Sequence, residues 1–122
     1  MGAAEMTMEK HHGSCHCGAV AFEVVSDFSS PYRCNCSFCI RRGATMQRVP
    51  ASNFLLLRGE DAVGLYGGRD FAKHYFCKTC GIPCFTRIYR GQESEVAVNV
   101  GCVDDVDWQA LVPDLFDGAH LL

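Results

Sequence analysis

The stretch Phe76-Cys77-Lys78-Thr79-Cys80-Gly81-Ile82-Pro83-Cys84-Phe85-Thr86-Arg87-Ile88-Tyr89 decides how this chain is read. Cys77 and Cys80 are two residues apart and are closed by Gly81. Such a turn aims backbone N–H groups at thiolate sulfur, and the glycine admits the left-handed backbone that the turn needs. Lys73 to Cys77 alternates in polarity, and Pro83 to Tyr89 is rich in β-branched and aromatic residues, so a strand enters the turn and a strand leaves it. A redox-active CxxC normally opens a helix in an α/β setting. Here the pair reads instead as a metal knuckle between two strands. A tetrahedral metal wants two more ligands, and Cys15-His16-Cys17-Gly18 supplies them. Cys15, Cys17, Cys77 and Cys80 are therefore expected to hold one structural zinc.

Working outward, Ala19–Val25, Thr45–Val49, Phe54–Leu57, Val63–Tyr66 and Glu95–Val100 also read as short strands, parted by Gly, Pro and Ser turns. Cys34 to Arg42 reads as a loop with one helical turn, and a second turn is expected around Trp108. Residues 1–12 show no sustained period and read as a flexible tail, with His11-His12 solvated. The sum is a small all-β single domain over 13–122, in which metal cross-links supplement strands that each bury little.

Nine cysteines in 122 residues exceed what packing requires. The number is odd, and no secretory leader is read ahead of them, so a reducing, cytoplasmic setting with thiols as ligands is expected over a disulfide framework. The longest apolar runs, such as Phe54-Leu55-Leu56-Leu57, are far shorter than the roughly twenty residues of a membrane span. With 14 acidic and 11 basic side chains the formal charge is −3, which disfavours nucleic acid as a partner.

Cys34-Asn35-Cys36-Ser37-Phe38-Cys39 is chemically different from the knuckle. Three thiolates so close together can wrap one metal and leave its fourth corner open, the mark of a reactive rather than a structural site. Three thiolates and one Zn²⁺ carry a net charge of −1, which suits a soft fourth ligand such as a substrate thiol. Alternatively Cys84, Cys102 or a histidine closes the site. Arg41 and Arg42 follow directly and either neutralise the cluster or hold carboxylates of a ligand. His74 and His16 lie near the cysteine motifs in sequence and are candidates for moving a proton.

Taken in order, CxC-Gly, CxCxxC-Arg-Arg-Gly-Ala, Gly-Glu-Asp-Ala, CxxC-Gly and Val-Ala-Val-Asn-Val resemble the glutathione-dependent formaldehyde-activating enzyme family, which also includes centromere protein V. The matching stretches are Gly13–Gly18, Cys34–Ala44, Gly59–Ala62, Phe76–Ile82 and Val96–Asp104. The resemblance implies an Mss4-like β-tent with zinc at Cys15, Cys17, Cys77 and Cys80, and a second zinc at Cys34, Cys36 and Cys39, the residues expected to carry the catalysis. It also implies a carbon–sulfur lyase that condenses formaldehyde with glutathione; in that reaction Arg41, Arg42 and His74, read from their own chemistry and their place beside the cysteine motifs, are the expected substrate-binding residues. Partners are then a glutathione-like thiol and a small carbonyl compound, with self-association left open. A non-catalytic zinc module or a thiol-based metal sensor is the alternative. The family often reads Cys-Gly-Ile-His-Pro-Phe after the knuckle; this chain reads Cys80-Gly81-Ile82-Pro83-Cys84-Phe85, losing the histidine and adding a thiol.

Overall fold

The structure, a computed structural model, describes residues 7–67 and 69–122. In chain order the elements are β1 (Glu9–Ser14), β2 (Ala21–Ser26), β3 (Tyr32–Cys34), α1 (Ser37–Arg42), β4 (Met46–Pro50), β5 (Phe54–Arg58), β6 (Val63–Tyr66), β7 (Ala72–Cys77), β8 (Pro83–Arg90), β9 (Gln92–Asn99), β10 (Asp114–Phe116) and α2 (Gly118–Leu121). Short 3₁₀ turns lie at Ala51–Asn53, Val100–Cys102 and Trp108–Ala110. The strands form a three-stranded sheet, β1-β2-β5, and a seven-stranded sheet, β10-β3-β4-β9-β8-β7-β6. Every pairing is antiparallel except β10 on β3. The all-β expectation is borne out. No helix among the described residues is long and apolar enough to cross a membrane.

Strand alternation splits the large sheet into two working faces. One face puts Phe85, Val96 and Val98 against Phe22, Val24 and Phe54 of the small sheet. There the Phe22 and Phe54 rings lie 5.4 Å apart and Phe54 and Phe85 4.8 Å apart. Each such side chain, once withdrawn from water, contributes about 1.5–3 kcal/mol. Arg87 points to this face too. Its guanidinium lies 5.4 Å from the Phe54 ring while it pairs with Glu93 at 2.6 Å.

The other face carries the chemistry. The register places His74 beside Thr86, Thr86 beside Ala97, and Ala97 beside Arg48, so these four form one row across β7, β8, β9 and β4. Ala97 is small and buried, which leaves room above the row between the longer side chains at its ends.

Three expectations need correction. The flexible tail expected over 1–12 does not hold for residues 9–12: β1 starts at Glu9 and pairs in register with β2, while residues 1–6 lie outside the described residues. His11 is buried edge-on against Phe28, and its Nδ1 lies 2.7 Å from Asp105; the solvated His12 bonds Asp104 at 2.7 Å. Adjacent histidines on a strand point to opposite faces, and two consecutive aspartates from some ninety residues downstream meet one each. The hydrogen bond from His11 holds the Asp105 carboxyl below its ordinary range. β3 and β10 are also additional to the expected strands; three residues each are too few to show a period.

Candidate metal and thiol site

The two cysteine clusters assemble as separate groups. Cys15 and Cys17 lie just beyond β1, and Cys77 and Cys80 lie at the end of β7 and in the turn after it. Their four sulfurs lie within 4.8 Å of one another. Cys15 Sγ is 3.7 Å from Cys17 Sγ, which is 3.6 Å from Cys77 Sγ. A tetrahedral zinc with Zn–S bonds of about 2.3 Å has edges of roughly 3.8 Å, whereas a disulfide needs about 2.05 Å. The cluster therefore fits a tetrahedral thiolate-bound metal and does not fit a disulfide. Backbone N–H groups support it: Val20 donates to Cys15 Sγ at 3.3 Å and Cys80 to Cys77 Sγ at 3.5 Å. Backbone donors from Cys17 and Ile82 draw the Cys80 thiol down to about 6, so it ionises readily. Gly81 takes φ +80°, the left-handed turn that a Cβ would strain.

The second cluster is Cys34, Cys36 and Cys39, whose sulfurs also lie within 4.8 Å of one another. Local chain geometry builds it. Cys36 is the N-cap of α1 and accepts from the Cys39 N–H at 3.4 Å, while its own N–H donates to Cys34 Sγ at 3.4 Å. Burial opposes ionisation of Cys36, but donors from Cys39 and Phe38 prevail and lower its pKa. Burial pushes the Cys39 thiol up to about 12, against the pull of Arg42. Gly43 ends the helix in the left-handed conformation and donates to the Cys39 carbonyl at 2.9 Å.

No fourth Cys, His, Asp or Glu joins this triplet among the described residues. Cys84 and Cys102, considered as closing ligands, belong to neither metal-sized group. Both are buried, with Cys84 donating to the Ile82 carbonyl at 3.3 Å. The position that gains a thiol relative to the family pattern thus faces the interior.

The two arginines diverge. Arg42 turns inward, with Nη2 donating to Cys39 Sγ at 3.3 Å and Nη1 to Thr86 Oγ1 at 3.3 Å; its Nε is buried without a partner. Arg41 bonds the Ser37 carbonyl at 2.7 Å on the exposed side of α1. His74 Nδ1 lies 2.9 Å from the same Thr86 hydroxyl. Arginine only donates, so the hydroxyl oxygen accepts from Arg42; in the Nε2–H tautomer of neutral His74 the same hydroxyl gives its hydrogen to Nδ1. Burial, with Arg42 and Arg69 nearby, lowers His74 to about 4, so it is uncharged at neutral pH. Its ring stacks on Phe38 at 4.2 Å. His16 belongs to neither cluster.

Two cavities meet at Arg42 and His74. One, of about 650 Å³, runs past Arg41, Phe38, Tyr66 and Phe76. The other, of about 490 Å³, reaches Cys34 and Cys39. The segment after β10 closes the far side of the triplet. A Cβ on Gly118 would lie 2.5 Å from Cys34 Sγ, so only glycine allows this approach. Asn35 ties the cover down, donating to Asp117 at 3.1 Å and accepting from the Ala119 N–H at 2.9 Å. Thr86, Arg48, Asn35 and Gly118 carry no sequence signal of their own. Only the alternation of β8, which puts Thr86 and Ile88 on one face, hints at the first.

Comparison with known proteins agrees with this geometry. A family model described as glutathione-dependent formaldehyde-activating enzyme matches residues 10–116. A Halomonas elongata protein named "Putative glutathione-dependent formaldehyde-activating enzyme" is 33% identical over 78 residues, 56% of this chain. The match spans half the length of that curated relative. A crystal structure of a Rhodobacter sphaeroides protein is similar with a TM-score of 0.75 and 37% identity, covering 86% of this chain and 99% of the other. The chain belongs to the glutathione-dependent formaldehyde-activating enzyme family.

Proposed function

We propose that this protein is a cytoplasmic zinc-dependent carbon–sulfur lyase that joins a glutathione-like thiol to a small carbonyl compound. The observation that carries the reading is the contrast at the triplet: three sulfurs at metal spacing, no fourth ligand among the described residues, and a cavity that ends on two of them. Cys15, Cys17, Cys77 and Cys80 would hold a structural zinc. Cys34, Cys36 and Cys39 would hold the second, whose chemistry when bound is to accept the substrate sulfur and favour its thiolate.

The chain's own residues then have separable tasks. Arg42, donating to Cys39 Sγ, offsets the charge of three thiolates in a partly buried site. Thr86 keeps Arg42 in that position and, by donating to Nδ1, would leave the His74 hydrogen on Nε2. His74 is neutral at the working pH, so it serves as a hydrogen-bond donor to the oxygen of the reacting carbonyl rather than as an imidazolium acid. The substrate sulfur attacks the carbonyl carbon, the C=O pair moves onto oxygen, and the proton lost by the thiol returns to that oxygen through water. Arg41 and Arg42 lie along the larger cavity, where carboxylates of the thiol substrate find cations.

The test is adduct formation between glutathione and formaldehyde, followed by exchange NMR with zinc content measured in parallel. Acceleration above the spontaneous rate is expected from the intact protein and not from Cys36→Ser. Equal rates in both, with two zincs bound to the intact protein, would remove the enzymatic reading and favour a binding or sensing module.

A further inference from the structure

The cavity at the triplet is built for more than a one-carbon aldehyde. Its volume of about 490 Å³ lies within the roughly 300–1,000 Å³ of sites that enclose drug-sized ligands. Formaldehyde has two heavy atoms and no surface that needs an apolar wall. Yet Phe71, Ile88, Phe116 and Leu122 line this space. The cavity also contains Arg42, Arg48 and Arg90, and no Asp or Glu is among its lining residues. A zwitterion such as glutathione would bring an ammonium with no Asp or Glu side chain to meet it here.

The register gives the space a direction. From Thr86, which holds Arg42 on Cys39, the row crosses Ala97 to Arg48, two strand spacings or roughly 10 Å away. The Arg48 guanidinium lies 4.8 Å from the Tyr32 ring and 5.7 Å from the Phe116 ring, stacked on aromatic faces with no carboxylate partner among the described residues. Where the β8–β9 register shifts between Ile88 and Tyr89, with Ser94 the extra residue on β9, both Tyr89 and Arg90 line the space. Arg90 is paired with Glu95 at 3.3 Å, which leaves Arg48 as the cation at the far end of the row.

We propose that the carbonyl partner is an aldehyde with an aromatic or branched apolar body and an anionic group at its far end, bound in this cavity with its carbonyl toward Cys34 and Cys39 and its anion toward Arg48. This rests on the thiol–carbonyl reading above and sharpens it. The reaction balances without any further reactant: a C–S bond forms, the C=O π bond breaks, and the thiol proton moves to the new hydroxyl.

The experiment compares formaldehyde, benzaldehyde and 4-formylbenzoate, each with glutathione and the zinc-loaded protein, by exchange NMR. The expected result is a rate gain over the spontaneous reaction at least tenfold larger for 4-formylbenzoate than for formaldehyde, with benzaldehyde between. Arg48→Gln should erase the difference between the two aromatic aldehydes. Ile88→Trp should lower the aromatic-to-formaldehyde ratio at least tenfold. Because Ile88 sits within the sheet, Leu122→Trp, at a half-exposed position, repeats the test where folding is not at stake. Acceleration of formaldehyde alone overturns this inference and leaves the thiol–carbonyl reading standing. No acceleration of any aldehyde overturns both.

Discussion

The four-cysteine and three-cysteine clusters use the same ligand atom at similar spacing, yet the structure treats them differently. The first joins segments sixty residues apart, although backbone N–H groups donate to sulfurs in both clusters. The second lies within six residues of chain, at the start of a helix, with an arginine donating to one sulfur and a cavity against two. Sequence separation explains the contrast. Cross-linking distant segments closes a long loop and reports on the fold, whereas ligands from one turn can lose their metal while the sheets remain paired. A site that must exchange ligands belongs on the local cluster.

The largest expected effect tests that division. Cys80→Ser should cost most or all of the domain's stability, since structural zinc contributes on the order of 10 kcal/mol in small metal-bound folds. Cys36→Ser should lower the melting temperature by only a few degrees; thermal melts of both variants check this. If the two melt alike, the clusters are not divided into structural and reactive roles. Next, a chelator titration should release metal in two steps, with near-UV circular dichroism unchanged in the first and lost in the second. A single step would merge the clusters functionally.

Arg42→Gln is expected to slow adduct formation about tenfold or more, from the loss of one charge-assisted hydrogen bond worth about 1.5–3 kcal/mol. Arg41→Gln should act mainly on the apparent affinity for the thiol, so kcat and KM measured for both variants separate the neighbours. Gly118→Ala should displace the cover from Cys34; faster alkylation of Cys34 by iodoacetamide is the readout.

The smallest effect is on pH. His74 is lowered from 6.5 to about 4 in the folded protein, so between these values the unfolded chain binds more protons. Stability contributed by neutral His74 is therefore complete above pH 6.5 and is lost as pH falls toward 4. His74→Gln should flatten the rise of stability with pH across that window, measured by urea unfolding, and the rate profile should show no His74 inflection between pH 5 and 8.

Cysteine spacing alone picked out both groups of thiols that the fold gathers at metal spacing, because metal geometry fixes how far apart thiols can sit. Alternation at β7 and β9, and β-rich residues between Gly, Pro and Ser turns elsewhere, located β2 and β4 to β9 to within a few residues. These signals missed β1, where Lys10, His11 and His12 give no apolar period and His11 is buried by a bond to Asp105. Arg41 and Arg42 were indistinguishable as neighbours in sequence. One residue of helical rotation sends one to the sulfur and the other to a solvent-facing carbonyl. Thr86 and Arg48 enter the site only through strand register, and Gly118 only through the return of the chain over Cys34. Local chemistry, written in residue type and spacing, was thus determined by the sequence itself. The shape and charge of the space in front of that chemistry arise from segments far apart in the chain, and only their packing brought them together.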